Sequence, residues 1–123
     1  MNYIFLCLLF VASPIMCDST DCVILSDFSV KHGTDYNVRV VWNTGVELNV
    51  YGFNLYRKTK GSEWEVVNPE VITAKRMGQV IGDKYTYIDR SVSKPNRYTY
   101  KLEVLMVDGT SVWSDAEKIR IGR

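Results

Sequence analysis

Side chains able to do chemistry are sparse in this 123-residue sequence and poorly grouped. The thiols are Cys7, Cys17 and Cys22, the only imidazole is His32, and Asp83, Asp89 and Asp108 are the carboxylates worth testing as cation ligands. General-base work needs an imidazole with an organised partner and a pocket. His32 stands beside Gly33 and Asp35 in a stretch that reads as a turn, where a solvated histidine is expected. Cys22 precedes it, yet no nucleophile signature spans the interval. A hard-cation site needs a closely spaced acidic loop, and the three aspartates are scattered, so they are expected to serve turns and strand ends. The sequence holds no Cys-x-x-Cys pair, no histidine cluster, no glycine-rich phosphate loop and no basic stripe interleaved with aromatics. The expectation is a non-enzymatic chain without catalytic, cofactor-binding or metal residues. Tyr56, Trp64 and Trp113 remain, expected outside or at the rim. Flat aromatics there can stack on sugars or anchor protein contacts, or simply form cross-strand pairs that stabilise a sheet.

Fifteen Lys and Arg against fourteen Asp and Glu give a net charge of +1, so the overall field argues for neither nucleic acid nor an anionic membrane. The length suits one domain with a modest core, and the chain ends two residues after Ile121, so no further domain is expected. Residues 4–12 are an unbroken apolar run, too short to span a bilayer comfortably but suited to the core of a signal peptide. Residues 1–17 are therefore expected to be a removable leader, and the mature protein to be secreted, periplasmic or on the cell surface. Cleavage after Cys17 leaves Cys22 a lone thiol, whereas cleavage before it allows a short-loop disulfide between them. A third route makes Cys17 the lipid-carrying cysteine of a lipoprotein, with Pro14, Ile15 and Met16 where a lipobox would stand; Met16 fits that pattern poorly.

The elements that must position the aromatics read as strands. Composition leans that way, with eight Tyr, three Trp and four Phe and no long helical period. Residues 18–26 read as a polar linker around Val23, Ile24 and Leu25, ahead of a first strand near residues 28–31. Val38, Val40 and Trp42 then alternate against Arg39, Val41 and Asn43, the period-two pattern of a half-buried strand. After a break at Thr44 and Gly45, residues 52–58 alternate again with Phe53 and Leu55 inward and Asn54 and Tyr56 outward. A short strand over residues 64–67 ends at Asn68 and Pro69, residues 70–83 are irregular, and residues 85–89 alternate. Tyr98, Tyr100, Leu102 and Val104 line one face of the longest strand. Asp108 and Gly109 then signal a tight hairpin with positive φ at both central positions, before a last strand over residues 112–121. About seven short strands without helices between them predict an all-β antiparallel two-sheet sandwich over residues 27–123.

Several segments in this order resemble a fibronectin type III domain, in a variety found in exported bacterial proteins. They are Trp42 with Asn43 and Thr44; Glu47 and Asn49; the run Gly52, Phe53, Asn54, Leu55, Tyr56, Arg57; residues 85–89; and residues 98–103. The resemblance implies an immunoglobulin-like sandwich with Trp42 in its core and Tyr98 forming a tyrosine corner, alongside core residues Phe53, Leu55, Tyr100 and Leu102. It departs at Pro95 and Asn96, where a glycine is usual and Asn tolerates the glycine conformation, and at Met106, where a polar residue is more common. The Arg-Gly-Asp tripeptide of adhesive members is absent. By this resemblance the chain is a binding module working through loops or a sheet edge on a protein or carbohydrate partner at the cell surface. The alternatives are a lipid-tethered accessory subunit of an envelope complex and a carbohydrate-binding module.

Overall fold

The computed structural model describes residues 15–18, 20–93 and 95–122. It is all-β, with two antiparallel sheets packed as a sandwich. The strands are β1 (Ile15–Cys17), β2 (Cys22–His32), β3 (Val38–Leu48), β4 (Val50–Lys58), β5 (Glu65–Val66), β6 (Ile72–Thr73), β7 (Lys84–Asp89), β8 (Asn96–Met106), β9 (Ser111–Trp113) and β10 (Glu117–Ile121). The first sheet has the order β1-β2-β3-β7. The second has the order β10-β8-β4-β5, with β6 also on β4 and β9 also on β8.

The two-residue period explains which face of each strand is buried. Val38, Val40 and Trp42 of β3, Phe53 and Leu55 of β4, and Tyr98, Tyr100, Leu102, Val104 and Met106 of β8 all point into the space between the sheets and are buried. Trp42 stacks on its register partner Tyr85, rings 5.5 Å apart, and both lean on Phe53 from the opposite sheet at 5.5 and 4.6 Å. These three rings join the two sheets at the centre, in the tilted and offset geometries that aromatic quadrupoles favour. The Tyr98 hydroxyl accepts a 2.8 Å hydrogen bond from the Ser93 amide, tying the start of β8 to the backbone five residues upstream.

Several expectations are corrected. There are ten strands rather than about seven, because the last strand is divided into β9 and β10 and short β1 and β6 are added at the margins. Ser114 fills the division: its amide donates to the Leu102 carbonyl and its hydroxyl accepts from the Leu102 amide. The expected linker over residues 18–26 is largely strand, since β2 begins at Cys22 and buries Val23 and Leu25 completely. Thr44 and Gly45 do not break β3; the register slips there, opposite a second slip around Ser26, so the strand bends and continues. His32 is the exposed last residue of β2, and the turn follows it at Thr34–Tyr36. At the β8–β9 hairpin only Gly109 has positive φ, at 92°, and the Met106 carbonyl accepts from the Gly109 amide. The loop is thus a three-residue turn with glycine in the left-handed position. Asn96 begins β8 without the positive φ that a glycine in this turn would allow. The apolar run at residues 4–12 lies outside the described residues, whereas residues 15–17, counted in the expected leader, form β1.

Candidate ligand-binding face

Strand alternation that buries Phe53, Leu55, Tyr100 and Leu102 must send Asn54, Tyr56 and Lys58 of β4, and Thr99, Lys101 and Glu103 of β8, to the outer face of the second sheet. The register then decides who meets whom. Tyr56 lies opposite Lys101, and Glu103 lies opposite both Asn54 and, on its other side, Trp113 of β9. The Tyr56 ring meets Trp113 edge-on, centroids 5.0 Å apart. The Lys101 ammonium lies 4.3 Å from the centre of the Trp113 ring and 4.4 Å from that of Trp64, and the Lys58 ammonium lies 5.0 Å from Trp64. All three aromatics singled out from the sequence therefore converge on one face, linked by two lysines. Trp113 is 40% exposed, while Tyr56 and Trp64 are half-buried. Desolvation, with Glu103 adding to it, pushes the Tyr56 hydroxyl above its ordinary range, so it is a neutral hydrogen-bonding group at neutral pH.

Beside this row lies a shallow groove of about 660 Å³, bounded by the end of β4, the start of β8 and β10. Its lining includes Lys58, Lys60, Arg97, Lys118 and Arg120, together with Trp64. Among the described residues no carboxylate pairs with any of these five cations; the ion pairs present engage Arg57, Lys75 and Arg76. Sequence reasoning missed the groove because a net charge of +1 averages it away. Its residues are scattered over sixty positions and meet only through register: Lys58 opposite Thr99, Thr99 opposite Lys118, and Arg97 opposite Arg120.

Two buried polar clusters were also missed. Asp89 of β7 is 1% exposed and accepts from the Tyr100 hydroxyl at 2.7 Å, Arg57 at 2.8 Å, and the Ser91 hydroxyl and amide at 2.6 and 3.0 Å. Burial raises its pKa, but these hydrogen bonds outweigh burial and hold the carboxyl below the ordinary carboxylate range. Arg57 continues to Glu65 at 2.8 Å. Near the opposite end of β7, buried Glu47 accepts from the hydroxyls of Thr44 and Tyr85. The signal was available for the first cluster but not read: Arg57 falls in phase with Phe53 and Leu55, and Asp89 in phase with Tyr85, which puts opposite charges on the inner face.

The remaining sequence candidates are not brought together. Cys22 and His32 stand at opposite ends of the eleven-residue β2, roughly 30 Å apart. The Cys22 sulfur is bonded to Cys17 across the β1–β2 pairing. Asp83 pairs with Arg76, Asp89 with Arg57, and Asp108 accepts from Thr110 in its own hairpin. No protein-family model matches this chain, and no curated protein matches it in sequence.

Proposed function

We propose that this chain is an exported, non-catalytic binding module of fibronectin type III-like build, which engages its partner through the outer face of the second sheet. The order β2-β3-β7 facing β10-β8-β4 supports the family reading, since it is the arrangement of strands A-B-E and G-F-C in immunoglobulin-like sandwiches. The Tyr98 hydroxyl bonded to the Ser93 amide supports it further. The binding reading is carried by the convergence of Tyr56, Trp64 and Trp113 around Lys101. Such aromatics provide rigid contact area with little conformational entropy to lose.

The test is saturable binding to the isolated envelope of the producing cell, compared for the parent protein and Trp113→Ala. Because Trp113 is part-exposed on a short strand, its removal should leave the thermal midpoint within a few degrees and weaken binding by about tenfold or more. Equal binding by the two proteins, or none by the parent, overturns the reading.

A further inference from the structure

The five unpaired cations of the groove are an arrangement that folding alone does not call for. Arg97 and Arg120 are direct cross-strand partners, which places like charges about 5 Å apart at the Cβ atoms, a juxtaposition that destabilises a sheet. No carboxylate among the described residues relieves it. Two residues along the strands, Lys58 and Lys118 flank Thr99, so the cations form two rows roughly 7 Å apart, the arginine row spanning about 5 Å and the lysine row roughly 10 Å. Lys60, in the turn that follows β4, also lines the groove. This is a concentration of positive charge suited to a polymer that carries several oxyanions.

We infer that the groove is a subsite for an anionic polysaccharide, with a sulfate or carboxylate group held between the guanidinium groups of Arg97 and Arg120 and further anions on Lys58, Lys60 and Lys118. This deepens the binding reading above and rests on it. Paired guanidinium groups present planar forks suited to oxyanions, and lysines supply point charges. The threonine hydroxyls on the groove wall, Thr59 and Thr99, offer donors and acceptors to sugar hydroxyls. The tryptophan rings argue for charge over stacking as the means of recognition: Lys58 and Lys101 lie over Trp64, and Lys101 over Trp113. The same covering disfavours single-stranded nucleic acid, whose bases need open aromatic platforms. An acidic peptide presents the same carboxylates without a sugar's dense hydroxyls, and direct comparison with an oligo-glutamate separates the two.

The experiment is calorimetric titration of the exported protein with four size-matched probes and one control sugar. The probes are a sulfated oligosaccharide, a uronate oligosaccharide, an oligo-glutamate peptide and a single-stranded oligonucleotide; the control is a neutral oligosaccharide. Binding to either anionic sugar supports the proposal, and preference between the two identifies sulfate or carboxylate as the anion. Raising salt from about 0.05 to about 0.2 M should weaken that binding on the order of tenfold. Arg97→Gln combined with Arg120→Gln should weaken it about tenfold or more with no fall in thermal midpoint, as should Lys58→Gln, whereas Arg39→Gln on the outer face of the first sheet should leave it unchanged. Tighter binding of the peptide or the oligonucleotide, equal binding of the neutral sugar, or no binding at all overturns the proposal. If envelope binding in that case is still lost in Trp113→Ala, the face reading stands and only the polysaccharide assignment falls.

Discussion

Arg57 and Asp89 illustrate how much one residue can organise when its phase in a strand runs against its chemistry. A guanidinium on the inner face of β4 reaches Asp89 on β7 and Ser91 with one nitrogen and Glu65 on β5 with the other, while its central carbon lies 5.3 Å from the centre of the Tyr98 ring. Lysine cannot reproduce that fork. Arg57→Lys is therefore expected to lower stability by about 2 kcal/mol, and Arg57→Ala by about 3 kcal/mol, because it strands a buried carboxylate. Urea unfolding of the three proteins checks the order, and an alanine variant as stable as the parent would remove the clamp from the account. Tyr98→Phe should cost about 1 kcal/mol by depriving the Ser93 amide of its acceptor. At this scale the sequence was readable wherever chemistry agreed with phase, as at Trp42, Phe53 and Tyr100. Asp89 does end β7 as expected, but its inward phase, and with it the buried carboxylate, went unread.

Among the elements, β2 and β3 were the least legible, and the reason is the paired register slips around Ser26 and Gly45. A slip changes which alternate residues face inward, so Val23 and Leu25 read as an apolar cluster within a linker and no inward place was read for Glu47, though all three are buried. The straight strands β4, β7 and β8 carry no slip through their alternating stretches and were legible almost residue by residue. The outer face was legible in part: alternation placed Tyr56, Trp64 and Trp113 outside, but only register, which a sequence without turn constraints leaves open, makes neighbours of Lys58, Lys118, Arg97 and Arg120. β1 is held to β2 by three register pairs and the Cys17–Cys22 bond. Closing so short a loop removes about 2 kcal/mol of unfolded-state entropy on the chain-entropy relation. Reductant should therefore lower the urea midpoint of the protein that carries both cysteines and leave that of a Cys17→Ser, Cys22→Ser double variant unchanged. An identical midpoint with and without reductant in the parent would show that the bond does not form in solution.

For the molecule as a whole, the sandwich is closed by two kinds of contact, the aromatic cluster at its centre and the Arg57–Asp89–Tyr100 clamp, which ties β7 of one sheet to β4 and β8 of the other. The clamp makes cohesion between the sheets depend on pH at both extremes. Asp89 titrates below its ordinary value of 3.8 in the folded protein, so it contributes stability that is fully present above that value and is lost as pH falls through the lower folded one. Tyr100 and Tyr85 titrate above their ordinary value of 10.0, chiefly through burial and then through Asp89 and Glu47 respectively. Unfolding at alkaline pH lets them ionise, so the stability they contribute below pH 10.0 declines as pH rises beyond it. The expected profile is a plateau across neutral pH with a fall on either side, and the two limbs have separable origins. Asp89→Asn should lower the plateau and flatten the acid limb, converging with the parent at low pH, while the alkaline limb keeps most of its slope through Tyr85. Tyr100→Phe should lower the plateau by about 2 kcal/mol, since it removes a hydrogen bond to a charged group, and should flatten the alkaline limb. Unfolding free energy measured in urea from acid to alkaline pH for the three proteins decides the matter: parallel curves, displaced but identical in shape, would mean that the clamp holds the sheets together by packing alone and that its charges contribute nothing to the coupling.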